Sequence, residues 1–131
     1  MAVGDRLVQF SLGDMLFEYD EEKNRRNIEK HGISFVTAAR IFFDYDRIEM
    51  FDDEHSQEED RYNTIGDTSA GNLTVIGNLG GFSDGLNDIL FVVYTERETV
   101  SREGETVEVT RLISARLATS FERGLYYGKY S

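Results

Sequence analysis

The chain contains no cysteine, no proline and no tryptophan. Without cysteine there is no disulfide, no thiolate metal ligand and no thiol nucleophile. Without proline there is no cis-proline switch and no polyproline ligand motif. No run approaches the roughly 18 apolar residues that a membrane-spanning helix needs. Leu7–Leu12 is too short and too polar for the apolar stretch of a secretion signal, so the cytoplasm is the expected compartment. No P-loop, GxGxxG or Ser-His-Asp order is present.

Positive charge is also scarce. Fourteen Lys and Arg face 25 Asp and Glu, for a net charge of −11. Duplex DNA and anionic membranes repel such a chain as a whole, and its natural partner is basic. The deficit is uneven. Residues 17–60 hold 14 acids and 6 bases, whereas residues 109–131 hold Arg111, Arg116, Arg123 and Lys129 against Glu122 alone. Any contact with nucleic acid is therefore expected near the C-terminal end.

What remains is ordinary globular material. The 131 residues, 40% hydrophobic and 12% aromatic, suffice for one domain with a real core, taken as 1–131. Apolar patches at 7–10 and 15–19 flank Gly13 and read as a strand pair. Asp20 is a good N-cap, acids follow it, bases come later and Gly32 closes, which predicts a helix over about 21–31. Ser34 caps a second helix in which Phe35, Ala38, Ala39 and Phe42 form an apolar stripe. Strands are expected at 47–51, 61–65, 89–95 and 107–115. Residues 52–60 read as an acidic loop. The Gly, Asn and Ser-rich stretch at 67–88 reads as a surface excursion, with a further strand conceivable at 73–76. Thr119 or Ser120 caps a closing helix. The class is α+β, with two N-terminal helices and a C-terminal helix packed on an antiparallel sheet.

Three groups of residues could carry chemistry. Lys23, Asn27, Lys30 and His31 share one helix face and could hold a phosphate. The plainer reading is that Asn27 and His31 serve neighbouring backbone. Arg97, Arg111, Arg116 and Arg123, with Arg61, could clamp phosphate bidentately, against the default of pairing with surplus carboxylates. Arg111 and Arg116 are an odd number apart, so an unbroken strand would put them on opposite faces. The run Asp52, Asp53, Glu54, His55 lacks the spacing of a calcium loop and reads as solvated, so no metal and no cofactor is expected.

Several motifs together resemble a known family. Phe17-Glu18-Tyr19-Asp20, Lys23, Asn27, Lys30-His31-Gly32-Ile33, Phe35, Ala38-Ala39 and Phe42-Phe43-Asp44 look like the start of BrnT-type toxins. Asp52-Asp53-Glu54-His55-Ser56, Arg61-Tyr62 and Ile65-Gly66 look like the middle. Val92-Val93-Tyr94-Thr95-Glu96-Arg97, Arg111-Leu112-Ile113-Ser114-Ala115-Arg116 and Ala118-Thr119 look like the end. Residues 67–88 look like an insertion. Leu117, Ser120, Gly124 and Leu125 stand where the family is usually more basic.

The resemblance implies a RelE-like fold and the toxin of a type II toxin–antitoxin system, a small ribonuclease that stops translation. It implies a ribbon-helix-helix, BrnA-like antitoxin as partner, RNA as substrate on or off the ribosome, and contact with operator DNA only through the antitoxin. Metal-free RNA cleavage needs a base, an acid and cations around the phosphorane. His31 is the best candidate for the proton carrier. Arg116 and Arg97 would hold the phosphate, with Lys30 and Arg61 in support. The alternative is a weak or inactive binding module, the antitoxin's partner and corepressor, which the acidic surface favours.

Overall fold

The computed structural model describes residues 6–71 and 88–128. Six strands form one sheet in the order β1-β2-β6-β5-β4-β3. β1 (Leu7–Leu12) and β2 (Met15–Asp20) make a hairpin whose two-residue turn is Gly13 and Asp14. α1 (Glu21–His31) begins where Asp20 Oδ1 accepts the Lys23 amide at 3.0 Å, and ends at Gly32, left-handed at φ 72°. Glycine takes that backbone without steric cost. α2 (Phe35–Ala38) starts under Ser34, whose side chain accepts the Thr37 amide, and tightens into a 3-10 turn at Ala39–Phe43. The predicted stripe of Phe35, Ala38, Ala39 and Phe42 is buried as expected, although the segment is not one continuous α-helix.

β3 (Ile48–Phe51), β4 (Tyr62–Asp67), β5 (Ile89–Val100) and β6 (Thr106–Leu117) follow, then α3 (Ser120–Gly128). In β3 Phe51 is half exposed, while Ile48 and Met50 face the smaller core. The suggested strand at 73–76 lies outside the described residues, as does most of the 67–88 excursion. Its ends are described, and they meet. The Thr68 amide donates to Asp88 O at 3.0 Å and the Asp88 amide to Thr68 Oγ1 at 3.1 Å.

The expectation of a purely antiparallel sheet needs correction. β2 runs parallel to β6, pairing Phe17 with Thr110 and Glu18 with Arg111. Parallel neighbours need a long crossover, and here residues 21–105 lie between them, starting with α1. The sheet is therefore mixed.

The helices also divide between the two faces. β5 sends Leu90, Val92 and Tyr94 into the main core with Phe17, Phe35, Phe42 and Leu112, beneath α1, α2 and the 3-10 turn. Ile65 and its cross-strand partner Phe91 point the other way, into a second cluster with Ile89, Ala118 and Tyr126 of α3. The Tyr126 hydroxyl donates to Asp44 Oδ2 at 2.5 Å, linking α3 to the end of the 3-10 turn. Burial, then the Asp44 bond and nearby carboxylates, push the Tyr126 hydroxyl far above its ordinary pKa, so it is neutral.

Candidate nucleic-acid interface

The site is built on the α3 side of the sheet. Along β6, Ser114 pairs with Val93 but Leu112 pairs with Tyr94, leaving Ile113 as an extra residue. Such a bulge reverses the alternation beyond it. Arg116 lies opposite Phe91 and Arg111 opposite Thr95, four residues apart on β5. Both arginines therefore share the face that carries Phe91, although an unbroken strand would separate them.

Each arginine meets a carboxylate. Arg111 Nε donates to Glu18 Oε2 at 2.6 Å, on the parallel β2 neighbour. Arg97 Nη2 donates to Glu59 Oε2 at 2.8 Å, from the 52–60 loop. Arg116 donates through both Nη atoms to Glu122, at 2.8 and 2.9 Å, and lies 4.2 Å from the Phe91 ring centroid. Glu122 also accepts the Thr119 amide and donates its own amide to Thr119 Oγ1, a capping box at the start of α3. The Arg116 bond, aided by the Thr119 amide, holds the Glu122 carboxyl below its ordinary pKa. Arg123 is taken up by Asp88.

Arg61 behaves differently. It precedes β4 and lines a cavity of about 330 Å³ with His55, Asn63, Val93 and Ser114 among others. Its Nε, and Oδ1 of Asn63, are buried without a hydrogen-bond partner among the described residues. A buried orphan group costs about 1–3 kcal/mol, which a ligand can recover. His55, on the cavity rim, has Nδ1 within 3.0 and 3.1 Å of the two Asp52 carboxylate oxygens. That contact favours the tautomer with a proton on Nδ1 and an accepting Nε2. Sequence reasoning weighed His55 only as a metal ligand. Its proximity to Arg61 comes from the 3-10 turn at Asp53–His55, which no local pattern announces. Among the described residues no three His, Asp or Glu side chains gather as a metal site.

His31 and Lys30 lie elsewhere. His31 is half-buried at the end of α1 and Lys30 is exposed. One turn earlier, Asn27 is buried and donates to Ile33 O at 2.9 Å and Ala115 O at 2.8 Å, while accepting the Ala115 amide at 3.2 Å. β2 pairs with β6 only at Thr110 and Arg111, so the Asn27 amide takes the place of a neighbouring strand at Ala115. Asn27 is a structural clamp, and Lys23 and Lys30 remain as exposed cations of that helix. Arg116 follows Ala115 and faces the opposite side of the sheet. His31 and Arg116 thus lie toward one end of β6 on different faces. Arg61, His55 and Arg116 are on the same face.

Residues 19–78 match the family model of BrnT, the ribonuclease toxin of type II toxin–antitoxin systems. Over this segment, a little under half of its length, the chain is similar to the BrnT family. No curated protein matches the chain. The BrnT segment contains Lys30, His31, His55 and Arg61, while Arg97, Arg111 and Arg116 come from the strands after it. Among the described residues no helix is long and apolar enough to cross a membrane.

Proposed function

We propose that the chain is a metal-independent endoribonuclease of RelE-like type that inhibits translation in the cytoplasm by cutting RNA, free or on the ribosome. The observation that carries this reading is the gathering of Arg61 and Arg116 on the face that also holds His55, in an otherwise acidic molecule. Asp52 and Glu54 also line the Arg61 cavity, so the support for this reading is the guanidinium groups themselves, which bind phosphate oxygens in the fork geometry in which they bind carboxylates.

The chemistry is transesterification. The 2′-oxygen attacks phosphorus, its proton passes to a base, the bond from phosphorus to the 5′-oxygen breaks, and that oxygen receives a proton from an acid. Arg116 and Arg97 exchange Glu122 and Glu59 for phosphate oxygens, and Arg61 supplies a third cation to the developing dianion. Arginine stays protonated and cannot shuttle the proton. That role falls to a histidine. His31, with Lys30 beside it, is the imidazole assigned from sequence. His55, held by Asp52 at the Arg61 cavity, is the one that geometry favours. The antitoxin is proposed to be a ribbon-helix-helix protein that brings the complex to operator DNA.

Cleavage of a defined RNA in the presence of a chelator tests the reading. Arg61→Ala, Arg97→Ala and Arg116→Ala should each lower the rate about 10²–10³-fold. Of His31→Ala and His55→Ala, the one that abolishes activity identifies the proton carrier. Arg102→Ala, in the turn between β5 and β6, is the control and should cleave normally. A wild-type chain that cuts no RNA and arrests no growth would exclude the nuclease. The ion pairs of Arg97, Arg111 and Arg116 favour a second reading, in which filled arginines leave a binding module and corepressor.

A further inference from the structure

On the α1 side of the sheet, beyond the cover of the helices, four aromatic rings form a series running from the rim to the core. Phe51 meets Tyr62 edge-on at 5.7 Å, Tyr62 stacks on Tyr94 at 5.4 Å with 26° between planes, and Tyr94 meets Phe42 at 4.9 Å. Phe42 is core, but Phe51 is 50% exposed. A cavity of about 320 Å³ lies against the outer rings, lined also by Glu49 and Glu96.

The electrostatics of this cavity are one-sided. Glu49 accepts the Tyr94 hydroxyl at 2.8 Å and lies 3.5 Å from Arg47. Glu96 meets no donor or cation among the described residues. Burial first, then the Glu49 bond and the charges of Glu49 and Glu96, push the Tyr94 hydroxyl far above its ordinary pKa, so it stays a hydrogen-bond donor to Glu49. Farther along the same side, Glu98 stands directly opposite Glu108 across the β5–β6 ladder. Like charges in that relation destabilise a sheet. Nothing in the core requires the pair, and a cation above it would relieve the repulsion.

Ring faces flanked by carboxylates suit a guanidinium or ammonium group, which stacks on the rings and pairs with the acids. RNA is repelled there. Similarity to a toxin–antitoxin family points to a protein partner, and the chain's net charge of −11 favours a basic one. We infer that the Phe51–Tyr62 cavity docks an arginine- or lysine-bearing segment of the antitoxin, with Glu96 as the pairing carboxylate. The site lies on the face opposite Arg116, so it anchors the partner without entering the arginine face. The inference rests on the similarity of residues 19–78 to a toxin–antitoxin family and not on nuclease chemistry.

The probe is a short peptide of alternating glycine and arginine, with its citrulline counterpart as the neutral control, titrated while ring proton resonances are followed. The arginine peptide should shift the Phe51 and Tyr62 rings, and the citrulline peptide should not. Phe51→Ala and Glu96→Gln should each weaken binding about tenfold, in the range of a desolvated cation–π contact with its charge partner. Glu58→Gln, in the 52–60 loop, should bind as wild type. The same two variants, co-expressed with the antitoxin of the neighbouring reading frame, should lose affinity while RNA cleavage by the free chain is unchanged. Equal weakening by Glu58→Gln, equal binding of the citrulline peptide, or an antitoxin affinity untouched by Phe51→Ala and Glu96→Gln overturns the inference. So does self-association that Phe51→Ala abolishes, because the cavity would then serve a second copy. Loss of cleavage in wild type with peptide binding intact removes only the nuclease reading.

Discussion

Arg116 and Glu122 form a two-pronged ion pair that joins the end of β6 to the first turn of α3. The pair occupies the guanidinium proposed to hold phosphate, so Glu122 competes with RNA. Glu122→Gln keeps a capping amide but removes the charge. It should raise RNA affinity severalfold, measured by filter binding at fixed salt. Both side chains are partly exposed, so the stability loss should be about 1 kcal/mol or less, a few degrees in melting temperature. Unchanged RNA binding would mean that Arg116 takes no part.

The same pair makes acid sensitivity predictable. Glu122 has its pKa lowered in the folded state, so the unfolded chain binds the proton first as pH falls. Its contribution is complete above the ordinary carboxyl value of about 4.3 and disappears as pH drops through the lower folded value. The melting difference between wild type and Glu122→Gln should therefore be constant near neutrality and shrink below about pH 4.3. A difference that grows in acid would contradict the assigned pairing.

Asn27→Ala should be severely destabilising. It strips partners from Ile33 O and from both backbone groups of Ala115 in a buried setting. The expected cost is about 3 kcal/mol, readable by urea denaturation. Lys23→Ala and Lys30→Ala, on exposed positions of the same helix, should stay within about 0.5 kcal/mol of wild type.

Gly66 admits no side chain. A Cβ there would lie 2.9 Å from Ile41 Cβ and 3.3 Å from both Arg47 Cβ and Ile41 O. Gly66→Ala should force the 3-10 turn off β4 at about 1–3 kcal/mol. Gly104→Ala is strained for a different reason, its left-handed backbone at φ 82°. Thermal melts that leave Gly66→Ala unchanged would show that the turn yields freely.

The clasp between Thr68 and Asp88 bears on the segment between them. Because those residues hydrogen-bond reciprocally, a short glycine linker can bridge their ends. Excision of 71–87 should leave a folded chain with a modest change in melting temperature, since loop length enters closure entropy only logarithmically. Loss of cooperative melting would show that the stretch contributes to the core.

Local chemistry was legible from the chain alone. Asp20, Gly32 and Ser34 were readable as caps, and Thr119 as one of two candidates with Ser120, because a cap bonds within a few residues of itself. The stripe from Phe35 to Phe42 and the central apolar run at 89–95 were readable because burial follows the period of a helix or the length of a strand. The scarcity of cations likewise marked the arginines as the residues to follow. The arrangement of those arginines was decided only in three dimensions. Arg111 and Arg116 share a face because Ile113 is an extra residue opposite β5, and a bulge is a property of two strands, not of one. The parallel pairing of β2 with β6, the strand-like bond of Asn27 to Ala115 some 88 positions away, and the placement of α3 opposite α1 all join distant parts of the chain. Such contacts follow from how whole faces bury one another, which no window of neighbouring residues contains.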